Sequence, residues 1–135
     1  MTVVKKSSTK ENKTKKIKKV SEGSGIIHGK FSFNNTILDL SKENGDVLTT
    51  VSTGSLGYRG TKKATAFAAQ NTTKKIIQEA IDYGIHNIKL QVKGIGAGRD
   101  TTIKEILKSN LNVKELIDKT PIPFGGCRPP KKPRK

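Results

Sequence analysis

The chain is 135 residues long, enough for one domain around one modest core. Its 27 basic and 11 acidic side chains give a net charge of +16, which suits a polyanion better than a small substrate. A single cysteine, Cys127, excludes an internal disulfide, and no apolar run approaches the ~20 residues of a transmembrane helix or forms a signal-peptide core.

The charge is unevenly placed. Residues 1–19 carry +7 and residues 128–135 carry +5, which leaves +4 for everything between them. Residues 1–20 are lysine-rich, without an apolar period, and read as a basic N-terminal arm disordered in isolation. Nothing on that arm offers the Trp or Leu face of a membrane-binding helix, so nucleic acid is preferred over a membrane surface.

The body is expected over 21–119. Ile26 to Phe33 reads as a strand, although Ile27, Lys30 and Phe31 break strict alternation. Asn34 and Asn35 can turn the chain, since Asn tolerates positive φ. Thr36 to Leu40 is a second strand. The Asn44-Gly45 pair signals a hairpin into a third, Val47 to Ser52, with Val47, Thr49 and Val51 on one face. The glycine-rich stretch Gly54 to Gly60 follows. Thr61 is the predicted N-cap of a helix to about Tyr83, with Ala66, Ala69, Thr73, Ile76, Ile77, Ala80 and Ile81 on its buried face. Gly84 ends that helix. His86 to Val92 is a fourth strand. Asp100 or Thr101 is expected to cap a second helix to about Ser109, buried through Ile103, Ile106, Leu107 and Leu111. Asn112 to Ile117 is a fifth strand. The order βββαβαβ implies an α/β fold with a mixed sheet, its later strands parallel and joined by right-handed crossovers.

From Thr120 the chain changes character. All five prolines fall within residues 120–135, and Gly125-Gly126 provides a bend. Proline has no N–H for a ladder and fixes φ, so this is an extended C-terminal arm. It ends in Arg128, Lys131, Lys132, Arg134 and Lys135 with no acid among them. A frayed, solvated tail is the plainer reading of any basic terminus. Here the proline spacing stiffens the arm and lowers the entropy lost when it lies along a polyanion.

Two internal stretches carry chemistry. Gly94, Gly96, Gly98 and Arg99 link a strand to a helix, a context in which backbone N–H groups and a helix N-terminus can meet a phosphate. The dinucleotide fingerprint fails, because Arg99 stands where Gly or Ala is required, and no P-loop Gly-Lys-Ser/Thr occurs. A plain glycine turn is the alternative. Arg59, Lys62 and Lys63 cluster at a second glycine turn, either as phosphate contacts or as a solvated face. In a parallel sheet both loops, and the root of the arm, can share one edge.

No catalytic constellation emerges. His28 and His86 lack metal-ligand spacing with Cys127 or with each other. Asp39, Asp82, Asp100 and Asp118 read as turn or cap residues. The few aromatics make a poor stacking platform, so contact with phosphates and recognition of shape are favoured over base reading. No cofactor is implied. A small nucleotide-binding α/β enzyme and a nucleoid-type DNA-binding protein are the rival readings.

Several stretches carry a resemblance: Gly25-Ile-Ile-His28, Phe33-Asn-Asn-Thr-Ile37, Gly57-Tyr-Arg-Gly-Thr-Lys-Lys-Ala-Thr65, Ala68-Ala-Gln70, Val92-Lys-Gly-Ile-Gly-Ala-Gly-Arg99, and Thr120-Pro-Ile-Pro123 through Gly126-Cys-Arg-Pro-Pro-Lys131. Over about residues 20–135 the chain resembles the universal small-subunit ribosomal protein S-eleven family of bacterial or organellar type. The resemblance implies a ribonuclease-H-like α/β sandwich without a nuclease site. It implies a structural, non-enzymatic role in translation, with small-subunit rRNA bound in the platform. The implied partners are mRNA near its exit, at the Shine–Dalgarno cleft, and the platform proteins numbered seven and eighteen. The implied location is the ribosome, in a bacterial cytoplasm or an organelle. The expected RNA-contacting set is Asn34, Asn35, Arg59, Lys62, Lys63, Gly94, Gly96, Gly98, Arg99, Arg128, Lys131, Lys132, Arg134 and Lys135. The family usually has Pro where Ile95 stands, Arg where Lys104 stands, and His-Asn where Phe124-Gly125 stands.

Overall fold

In the computed structural model, which describes residues 23–134, glycines hide the period of the first strand. Gly25, Ile27, Gly29 and Phe31 all point inward from β1 (Ser24–Phe31), a regular alternation in which two inward positions carry no side chain. Room for one is lacking. A Cβ at Gly29 would lie 2.7 Å from the Phe31 ring, and one at Gly25 would lie 2.9 Å from the Ser41 carbonyl oxygen.

β1 pairs antiparallel with β2 (Thr36–Lys42), and β2 antiparallel with β3 (Val47–Ser52). Helix α1 (Ala66–Asp82) leads to β4 (Asn87–Gly94), and α2 (Gly98–Lys108) to β5 (Asn112–Asp118). β4 runs parallel to β1 and β5 parallel to β4, giving the sheet order β3-β2-β1-β4-β5. This is the expected mixed five-stranded α/β sheet. Both crossovers move the same way across it, so right-handed connections put both helices on one face. There α1 packs on β2 and β3, α2 on β1 and β5, and the helices on each other. The core is Ile27, Phe31, Leu38, Leu40, Val51, Ile76, Ile88, Leu90, Val92 and Ile106 with their neighbours. The opposite face of the sheet carries no helix among the described residues. No helix among the described residues is long and apolar enough to cross a membrane.

Several local expectations are corrected. The cap of α1 is Thr65, not Thr61: residues 60–64 form a 3-10 turn, and the Thr65 hydroxyl accepts from the Ala68 N–H at 3.3 Å. The buried stripe of α1 is Ala68, Ala69, Thr72, Thr73, Ile76 and Ala80, while Ala66 and Ile81 are exposed. A helix wedged between a sheet and a second helix buries a wider face than a single stripe. Thr72 and Thr73 fit there because their hydroxyls donate to the Ala68 and Ala69 carbonyls. Helix α2 begins at Gly98 with no side-chain cap, and Asp100 sits in its first turn, where an acid complements the helix dipole. Its buried residues are Gly98, Thr102 and Ile106, and Leu107 is exposed. In β3 a register shift opposite Leu40/Ser41 leaves Val47 exposed and lets Leu48 pack on the core. The hairpin at Asn34-Asn35 needs no positive φ. Ser32 and Asn35 close it through side-chain and backbone bonds, and among the described residues only glycines have positive φ. The predicted N-terminal arm at 1–20 and Lys135 lie outside the described residues.

Candidate nucleic-acid interface

β1, β3, β4 and β5 all run in one direction, so their carboxyl ends share an edge. Four segments meet there: the β1–β2 hairpin, residues 53–65, residues 95–97 and the chain from Lys119 onward. The junctions are hydrogen-bonded. Thr53 donates its N–H to the Thr36 carbonyl at 3.1 Å and its hydroxyl to the Asn35 Oδ1 at 2.6 Å. Gly96 N–H reaches the Phe31 carbonyl at 3.3 Å, and Lys119 N–H reaches the Val92 carbonyl at 2.8 Å. Asn35 is thus half-buried and engaged in holding two loops together, while Asn34 is exposed.

The glycine loop answers to packing inside the protein. Gly94 has φ 103°, and a Cβ there would lie 3.0 Å from the Phe31 carbonyl carbon and closer still to its oxygen. A Cβ at Gly96 would meet the Ser32 carbonyl in the same way. One at Gly98 would sit 2.6 Å from the Ala69 Cβ and 2.9 Å from the Thr36 Oγ1. Gly96 and Gly98 are buried. These three positions press the β4–α2 connection onto the β1–β2 hairpin, with the missing side chains facing protein.

Arg99 is not an open cation. Its guanidinium donates to the Gly94 carbonyl at 3.1 Å and to Asp118 Oδ2 at 2.8 Å. Asp118 Oδ1 accepts from the Thr120 N–H at 2.9 Å and from its hydroxyl at 2.6 Å. Gly94 N–H then donates to Thr120 Oγ1 at 3.2 Å. The result is a closed latch joining the β4–α2 loop, the end of β5 and the root of the arm. The two Thr120 bonds, then Arg99, hold the Asp118 carboxyl well below the usual carboxylate range. A groove of about 440 Å³ runs past Ile95, Arg99, Asp118, Thr120 and Ile122. Asp118 and Thr120 were absent from the expected set. The available signal was an acid two residues before Thr-Pro, the spacing of a side chain that bonds the backbone two residues on.

The second basic cluster is more open. Arg59 and Lys62 are exposed, and Lys63 is half-buried with its stem 3.7 Å from where a Gly54 Cβ would lie. Tyr58 stacks edge-on to the exposed Phe67 at 6.5 Å and accepts a bond from Asn71, which ties this loop to α1. Beyond Thr120 the arm has no strand or helix and is exposed throughout its described length. It bends at Gly125 and Gly126, with φ 82° and 55°. Arg128, Lys131, Lys132 and Arg134 all lie exposed on it. Among the described residues the one ion pair is Arg99–Asp118, so none of these four is paired.

A family model described as Ribosomal protein S11 matches residues 25–134. The chain is 44% identical over 121 residues to the "Small ribosomal subunit protein uS11" of Thermotoga maritima, covering 90% of this chain and 93% of the relative. It is 44% identical over 119 residues to the uS11 of Ureaplasma parvum, covering 88% and 98%. The uS11 of Mycoplasma pneumoniae is 42% identical over 119 residues, with the same coverage.

Proposed function

The chain belongs to the ribosomal protein S11 family, and from that premise we propose how it binds the small ribosomal subunit. It is a structural ribosomal protein acting in translation, not an enzyme, and it associates with rRNA. In the finer reading, the domain at 21–119 docks on small-subunit rRNA in the platform, and the arms at 1–20 and 120–135 run along RNA. The carboxyl edge of the sheet faces the RNA, with Asn34, Arg59, Lys62 and Lys63 making direct contacts and Arg128, Lys131, Lys132, Arg134 and Lys135 following phosphates. Asn35, Gly94, Gly96, Gly98 and Arg99 act mainly by holding the shape of that edge. In the same reading the protein lies beside platform proteins seven and eighteen, lines the mRNA exit at the Shine–Dalgarno cleft, and works in a bacterial-type ribosome.

The observation that carries this reading is the convergence of two loops and the arm on one edge rich in cations, where the acid nearest the root of the arm, Asp118, is spent on the latch. Co-sedimentation of tagged protein with small subunits in a sucrose gradient tests the assignment. Crosslinking and sequencing of the attached RNA then tests the edge. Crosslinks confined to α1 and α2 would refute it.

A further inference from the structure

The face of the sheet without helices carries a charge pattern that the loops and arm do not explain. Paired residues of neighbouring strands point to the same side. Lys30 of β1 is opposite Lys93 of β4. Asp118 is opposite Val92, and the ladder continues through the Lys119 N–H bonded to the Val92 carbonyl, so Lys119 follows beside Lys93. Lys30, Lys93 and Lys119 therefore form a row across three strands, at the ~4.8 Å spacing of neighbouring strands. All three are exposed, and they line one concavity of about 310 Å³ together with His28, Asp39 and Gln91.

Like charges directly opposite each other oppose folding. The same sheet shows the balanced arrangement two levels away, where Lys89 is opposite Glu115. The lysine row has no acid in its own register: beyond Lys30 the next positions are Ile37 and Ser52. Asp39 sits one level down, opposite His28, and forms no ion pair among the described residues. His28 is occupied with Ser41 at 3.0 Å. A three-lysine row whose ammonium groups form no ion pair among the described residues, set in a shallow bowl, has the form of an anion seat. The bowl adjoins the carboxyl edge, and Lys119 belongs both to the row and to the root of the arm.

We propose that the Lys30–Lys93–Lys119 row is a second RNA-contact surface, where the sugar–phosphate backbone of an rRNA strand passes from the root of the arm onto the open face of the sheet. The inference rests on the rRNA-binding reading above and adds a surface to it. Charge decides the occupant: the isoleucines of this face, Ile26, Ile37 and Ile117, are half-buried between polar neighbours, while its exposed tips are lysines that outnumber the acids Asp39 and Glu115, so a phosphate backbone fits. Contact is with phosphate and is indifferent to base identity.

The test compares three full-length variants by salt titration on a platform rRNA fragment. The triple variant Lys30→Gln, Lys93→Gln, Lys119→Gln is expected to flatten the slope of log K against log salt by about 2.1–2.7, at 0.7–0.9 per phosphate lost. Lys89→Gln, whose charge faces Glu115, is expected to leave the slope unchanged. Deletion of 128–135 reports on the arm. Relief of like-charge crowding is expected to raise the melting temperature of the free triple variant, a gain that a merely structural row would not give. An unchanged slope in the triple variant beside a flattened slope in the arm deletion overturns the inference and leaves the rRNA reading standing. Unchanged slopes in both overturn the rRNA reading as well. Lysine acetylation of assembled subunits gives a separate check. Protection of Lys30, Lys93 and Lys119 in the subunit but not by the rRNA fragment assigns the face to a protein neighbour and overturns the proposal.

Discussion

Replacing Gly94 by Ala should cost the fold about 2–5 kcal/mol, the sum of two separable terms. Gly94 has φ 103°, and forcing an L-residue into left-handed backbone costs roughly 1–2 kcal/mol. The new Cβ would also lie 3.0 Å from the Phe31 carbonyl carbon, nearer still to the oxygen, and backbone cannot step aside as a flexible side-chain tip can. Overpacking of this kind costs roughly 1–3 kcal/mol. Gly45 isolates the first term, because its φ is 97° and nothing lies within 4 Å of a Cβ there. Gly45→Ala should therefore lose only about 1–2 kcal/mol. The assay is urea denaturation of both variants beside the parent, followed by circular dichroism. Against a total stability of ~5–15 kcal/mol the larger loss is readily measured. RNA binding, measured where Gly94→Ala is still fully folded, should fall less than for deletion of the arm, since the missing side chain faces Phe31 rather than ligand. Equal destabilisation of the two variants would refute the packing argument.

Thr65→Ala should destabilise α1 by ~0.5–2 kcal/mol, whereas Thr61→Ala should be nearly neutral in the same urea titration, because only Thr65 caps the helix. Deleting residues 128–135 should flatten the salt dependence of RNA binding by about 3.5–4.5 if all five charges sit on phosphates, read by fluorescence anisotropy across a salt series. Asp118→Asn should loosen the latch, seen as faster hydrogen exchange at the Thr120 amide, with little change in global stability because the pair is partly exposed. The sign of its pH dependence follows from the lowered folded-state value: the contribution of Asp118 is fully present above the ordinary carboxylate value near ~3.9 and is lost as pH falls below it. Thr120 protection should thus be flat from pH 8 to 5 in parent protein and fall only in strong acid.

The element order and the mixed sheet were legible because most strands and helices lie close to a Gly, Asn or Pro and each α-helix exceeds two turns. Failures came where a residue type conceals geometry. Gly25 and Gly29 occupy inward positions, so a hydrophobicity count cannot see the alternation they complete. Thr72 and Thr73 are polar by composition but buried, because the preceding turn of the helix takes their hydroxyl protons. Thr61 and Thr65 are chemically identical as caps, and only the 3-10 turn between them decides which one is used. At the candidate interface the residue types were visible but their engagements were not. Arg99 reads as a phosphate ligand until Asp118, nineteen residues later, is brought beside it by the parallel pairing of β4 and β5. The lysine row was hidden for the same reason: Lys30, Lys93 and Lys119 are distant in sequence and become neighbours only through register.

The latch and the prolines act on the same entropy at different points of the arm. A flexible tail joined to a domain by a free hinge must lose the freedom of that hinge as well as its own when it docks. Here the root is already oriented: Lys119 is held on Val92, and Thr120 on Asp118 and Gly94, before the first proline. Pro121 and Pro123 then restrict the first residues beyond the root, and the bend is confined to Gly125 and Gly126. Pro129, Pro130 and Pro133 restrict the charged end in turn. Freedom is thus concentrated at two glycines in a run of sixteen residues that would otherwise behave as coil. The glycines at 94, 96 and 98 belong to the same logic from the other side, because the loop they pack against β1 is the loop to which Arg99 fastens the arm. A substitution that loosens that loop should therefore weaken RNA binding at every salt concentration without changing the salt slope, whereas removal of a lysine or arginine from the arm should change the slope itself.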